Sequence, residues 1–149
     1  MNNDIDRYFP ALAIEGYEVT SAASLRYNCI AWAAGQVDAW WWPDPMGQGY
    51  WPAGVPRQET LGAFVEALST HGYVPCERAD LEPGLEKIAI YVNEAGRPSH
   101  TARQLPSGTW TSKLGRLEDI VHKTLESLSG QTYGSVASIL IRKAGPAEH

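Results

Sequence analysis

The stretch EKIAIYVNEAGRPSHTARQLPSGTWTS, residues 86–112, decides the fold. Lys87–Val92 is a β-branched and aromatic run that reads as a strand. Asn93-Glu94-Ala95-Gly96-Arg97-Pro98 reads as a turn, Ser99–Leu105 as a second strand, Pro106-Ser107-Gly108 as a second turn and Thr109–Ser112 as a third strand. Short connections join antiparallel neighbours, so the segment predicts a three-strand meander.

C-terminal to the meander, Ile120, Val121, Leu125 and Leu128 predict an amphipathic helix over 117–128. Tyr133–Arg142, with Val136 and Ile139-Leu140-Ile141, predicts a last strand, and Lys143–His149 a disordered tail. N-terminal to the meander, Leu61, Phe64, Val65 and Leu68 recur at helical spacing and predict a helix over 58–71, stopped by Gly72. A short strand is expected around Tyr73–Cys76.

Residues 38–56 hold four prolines, three glycines and four tryptophans, so they predict a stiff, irregular, aromatic loop. Residues 24–34 are Ala-rich, with Leu25, Ile30 and Trp32, and predict a helix closed by Gly35. Its N-cap is either Ser24 or Asn28; only with Asn28 does Cys29 become the first helical residue. Residues 1–23 read as an irregular lead-in with one short helical turn. Helices and strands in this order predict an α+β fold: one domain over 1–149, with the Cys-bearing helix packed on an antiparallel sheet.

With 149 residues, 44% of them hydrophobic, the chain can bury one core. A net charge of −5 and the lack of a Lys/Arg run argue against a nucleic-acid partner. Met1–Arg7 lacks a signal-peptide pattern and no apolar run reaches the ~18 residues of a membrane span, so the expected location is cytoplasmic. Two cysteines, Cys29 and Cys76, are expected as free thiols, although a bridge between them is possible on paper. No zinc-type spacing occurs, and no metal or cofactor is expected. Oligomeric state is not legible.

Chemistry concentrates on two residues. Cys29 stands near a helix start and His100 near a strand start. A thiol at a helix N-terminus facing an imidazole is the minimal apparatus of a cysteine nucleophile. The alternative for Cys29 is a small core hydrophobe, and for His100 an ordinary turn-proximal histidine. Positions 100, 102 and 104 share one strand face, which sets Gln104 beside His100, as a candidate to orient it or to donate to an oxyanion, and Arg103 opposite. Ser112, at the end of the third strand, is the candidate to accept the His100 ring N–H; otherwise it is polar surface. The Cys29 amide, with the Asn28 side chain or the Tyr27 hydroxyl, is the candidate oxyanion hole. Trp41, Trp42 and Trp51 either wall a substrate groove or pack over the core. His122, a turn from Asp119 on the expected helix, could replace His100 as base, but its register with Val121 and Leu125 suits a half-buried structural histidine.

The order Cys-helix, strand, His-strand, strand resembles the papain-like superfamily, and within it the NlpC/P60-type cysteine peptidases. "NCIAWA" (28–33) is similar to the segment around their nucleophile, and the resemblance covers roughly residues 24–113. It implies Cys29 as nucleophile and His100 as base. The chain departs from the pattern in Thr109–Lys113, which lacks the usual third His, Asn, Gln or Asp; Ser112 is the nearest substitute by position. The string YNCIAWA, WWWP, EKIAIY, SHTARQ and WTSKLG also resembles an uncharacterised domain family.

These readings lead to a cysteine hydrolase or acyl-transferase acting on an amide bond of a peptide, protein or peptidoglycan-like substrate, without nucleic-acid or membrane partners. The alternative is a non-catalytic protein- or ligand-binding module on the same scaffold, of accessory or immunity type.

Overall fold

The computed structural model describes residues 3–21, 27–35, 39–114 and 118–143. Its elements in chain order begin with α1 (Asn3–Tyr8), α2 (Pro10–Glu15), β1 (Tyr17–Ser21), α3 (Cys29–Ala33) and α4 (Leu61–Ser69). They continue with β2 (Val74–Cys76), β3 (Leu85–Val92), β4 (Pro98–Gln104), β5 (Trp110–Lys113), β6 (Asp119–His122), a 3-10 turn (Glu126–Leu128) and β7 (Ser135–Lys143). All seven strands form one antiparallel sheet in the order β1-β6-β5-β4-β3-β7-β2. The fold is α+β.

Both faces of the sheet are covered, which is why β3 reads as a nearly unbroken apolar run. Ile88, Ile90 and Leu140 pack under α3, α4 and the Trp-rich loop. Ala89, Tyr91, Ala102, Trp110, Ile120 and Ile139 pack against Ile5, Phe9, Leu12, Leu125 and Leu128 of the N-terminal helices and the 3-10 region. We call these the α3 face and the α1 face.

The expected meander is β3–β5, and α4 falls inside the expected 58–71. Thr60 caps α4 by accepting from the Ala63 N–H at 3.2 Å, and Phe64 and Leu68 enter the core. Lys87 is fully buried on β3, its ammonium satisfied by the carbonyls of Arg78 (2.8 Å) and Asp80 (2.7 Å) and by Glu82 (2.5 Å). Gly134 has φ +79°, and a Cβ there would lie 1.9 Å from the Val92 carbonyl oxygen, so the turn into β7 requires glycine.

Two expectations are corrected. Residues 119–122 form strand β6 rather than a helix, because β5 and β1 flank them and supply their hydrogen bonds from both sides. Ile120-Val121 suits that half-buried, β-branched setting. His122 is thus a strand residue, three positions from Asp119 and on the opposite face. The lead-in is also more ordered than expected: Ile5, Phe9 and Leu12 anchor two short helices, and Tyr17–Ser21 is the edge strand beside β6. Ser24, Leu25, residue 117 and tail positions 144–149 lie outside the described residues.

Candidate functional site

Asn28 fixes the start of α3. Its backbone is extended and its side-chain oxygen accepts from the Ala31 N–H at 3.4 Å, so Cys29 is the first helical residue. The same amide accepts from the Trp41 N–H (3.0 Å) and donates to the Trp41 carbonyl (2.5 Å). The cap therefore ties the Cys helix to the aromatic loop, which removes Asn28 as a free oxyanion donor. Asn28→Ala is expected to cost about 3 kcal/mol, from one lost cap and two stranded Trp41 groups. Urea unfolding measures this; a loss under ~1 kcal/mol would mean the cap and tether are dispensable.

Cys29 is partly exposed as a residue, yet protein crowds its sulfur. Burial raises the thiol's pKa, against the opposing pull of the Thr101 amide and hydroxyl and of the Ile30 and Cys29 amides. The resting form is the neutral thiol. Both cysteines are free; Cys76 donates weakly to the Arg78 carbonyl at 3.5 Å.

The expected Cys29–His100 pair is not formed. In β4, Thr101 pairs with Ile90 and Arg103 with Ile88, both on the α3 face. His100 pairs with Tyr91 and Ala102 with Ala89, on the α1 face. Thr101 and Arg103 accordingly meet α3: Arg103 sits 5.4 Å from the Trp32 ring centroid. His100 instead stacks on Tyr133, 4.1 Å between centroids and 6° from parallel. It is fully buried, neither ring nitrogen has a partner, and burial with the nearby His122 holds it well below the usual histidine range.

Ser112 also points to the α1 face, where its hydroxyl meets His122 Nε2 at 2.8 Å; it does not orient His100. His122 Nδ1 faces the Thr124 carbonyl at 2.9 Å, and burial lowers its pKa. Gln104 shares the face of His100 as expected, but its amide donates to the Ala79 carbonyl at 2.9 Å.

Of the two alternatives for the tryptophans, packing holds for Trp41 and Trp51. They are 2% and 5% exposed, Trp41 against Tyr50 and His71, and Trp51 against Phe64 with its indole N–H on the Pro56 carbonyl. Trp42 is half-buried, edge-on to Phe64 at 5.5 Å.

The α3 face carries a polar row that sequence reasoning missed. Lys113 and Asp119 are register partners on β5 and β6, both with no exposure. Tyr27, two residues before Cys29, donates a short hydrogen bond to Asp119 Oδ2, and Lys113 Nζ lies 5.7 Å from its ring centroid. Burial lowers the pKa of Lys113 and raises that of Asp119, while the Tyr27 hydroxyl is pushed up to about 12, chiefly by desolvation. Tyr27 is thus a structural tie rather than a free substrate contact. The available signal was alternation within each strand, which sets Thr101 opposite to His100 on β4 and Thr111 with Lys113 on one face of β5; the register Arg103↔Thr111 then joins the two faces.

Among the described residues no group of His, Cys, Asp and Glu is placed to hold a metal, and no helix is long and apolar enough to cross a membrane. Fold and site define an α+β protein with a thiol at a capped helix start, set on a buried polar row. A family model described as a domain of unknown function, DUF7689, matches residues 18–141, and the chain belongs to that family. No curated protein and no solved structure matches it.

Proposed function

We propose that the protein is a cysteine-dependent acyl-transfer enzyme of papain-like architecture, a peptidase, amidase or transamidase, with Cys29 as nucleophile. The carrying observation is the thiol at the first position of an Asn28-capped helix, with the amides of Cys29, Ile30 and Thr101 turned to it. Backbone N–H groups so placed stabilise an oxyanion as the sulfur attacks a carbonyl, and water then releases the acyl group. The substrate class is an amide or ester in a peptide, a protein side chain or a peptidoglycan-like stem. His100 is not the base in this arrangement.

The test uses p-nitrophenyl acetate and intact-mass analysis in a Cys76→Ser background. One acetyl group is expected on Cys29, with turnover; both are lost in Cys29→Ala and retained in His100→Ala. Acetylation no faster than that of a free cysteine would overturn the enzyme reading. It would favour the second one, a non-catalytic binding module, to which the raised thiol pKa and the separation of Cys29 from His100 also point.

A further inference from the structure

We propose that Lys113 is the proton acceptor of Cys29, the role that the order of elements suggests for His100. This rests on the nucleophile reading above and names its missing base. The argument is one of placement. The pairing of Thr111 with Arg103 sets Lys113 two residues further along β5, level with Thr101. Thr101 and Lys113 therefore stand side by side on the α3 face, and α3 packs on both strands.

Thr101 is 1% exposed, and its hydroxyl and amide both turn to the Cys29 sulfur. A thiolate at this point would strengthen those contacts, since hydrogen bonds to a charged acceptor are the stronger ones. Lys113 lies over the Tyr27 ring, which brings the lysine to the segment that leads into Cys29.

Among the groups that act on Lys113 are Asp119 on β6, Glu118 just before it, Cys29 on α3 and the Tyr27 ring. Desolvation favours the neutral amine, and the three acidic groups favour the ammonium. A lysine balanced in this way changes charge easily. In the step proposed, the Sγ–H bond breaks and an Nζ–H bond forms. The sulfur keeps the electron pair, and the new ammonium stands beside the thiolate and Asp119. Reversal delivers the proton to the leaving amine. No oxidant or co-reactant is needed.

Two measurements decide the matter. The first is the iodoacetamide alkylation rate of Cys29 against pH, in a Cys76→Ser background, for the parent, Lys113→Met, Lys113→Arg and His100→Ala. Lys113→Met is expected to slow alkylation at neutral pH about tenfold and move the profile up by about one unit, and His100→Ala to leave it in place. Lys113→Arg keeps a cation but cannot act as a neutral base, so it is expected to restore alkylation and not p-nitrophenyl acetate turnover. A Lys113→Met profile that overlays the parent would overturn the proposal, as would full turnover in Lys113→Arg.

The second measurement covers a Lys113→Met protein that fails to fold. In protein labelled with 13C at the lysine ε-carbons, the Lys113 titration is expected to move to lower pH in Cys29→Ser. An unchanged titration overturns the proposal. Alkylation and NMR do not depend on acyl transfer. Acetylation of the parent with no Lys113 effect therefore defeats this inference alone; absent acetylation defeats the enzyme reading.

Discussion

Acidification from about pH 7.5 to about pH 5 is expected to destabilise the protein steeply, with a large part of the slope removed by His100→Phe. His100 is buried with two unpartnered ring nitrogens, and its folded pKa lies well below the ordinary 6.5. In that window the unfolded chain binds the proton and the folded chain does not. The stability contributed by the neutral form is complete above the unfolded value and is lost as pH falls below it. The limiting slope is about 1.4 kcal/mol per pH unit for each such group.

His122, shifted down chiefly by burial, adds to the effect, and His71, shifted down by burial and by Arg142, adds less. Asp119 opposes it, because burial raises its pKa and the folded state then holds that proton more tightly. The lowered carboxylates, Asp44 and Asp80, act only below their ordinary value of 3.8, outside the window. Phenylalanine keeps the stack on Tyr133 and does not titrate. Urea unfolding at four pH values separates the cases: parallel slopes for parent and variant would show that His100 is not an acid trigger.

The same residue shows how far the chain could be read. The meander and α4 were legible because turn residues and helical spacing are local signals. The helix start at Cys29 was legible because Asn28 is a strong cap. The strand character of Asp119–His122 was not, since Ile120, Val121, Leu125 and Leu128 also fit a helix. Pairing with β1, about a hundred residues earlier in chain order, decides it.

For β4 the alternation of faces was legible: His100 with Gln104, Arg103 opposite. Which face meets α3 is a property of the assembled sheet, and it turned out to be the face of Thr101 and Arg103. The assignment of Ser112 failed for the same reason. Its neighbour Lys113 alternates to the other side of β5, the face that the register Arg103↔Thr111 sets toward α3.

Asp119→Ala is expected to be among the most damaging single changes on the α3 face, costing about 3–5 kcal/mol by urea unfolding. Asp119 has no exposure, accepts the Tyr27 hydroxyl and faces Lys113 across the strand pair. Removing the carboxylate takes away a polar neighbour of a buried lysine and the acceptor of a buried phenol together. Asp119→Asn keeps an acceptor for Tyr27 and loses only the charge, so it is expected to fall between Asp119→Ala and the parent. The double variant Lys113→Met/Asp119→Leu replaces both polar groups by apolar volume and is expected to recover much of the loss, because buried polar groups must also overcome their own desolvation. A cost for Asp119→Ala below ~1 kcal/mol would mean that water already serves these groups and that the row is not sealed. That outcome would also remove the low-polarity setting that lets Lys113 change charge. The stability of Asp119→Ala is therefore an independent physical check on the site chemistry, made without any substrate.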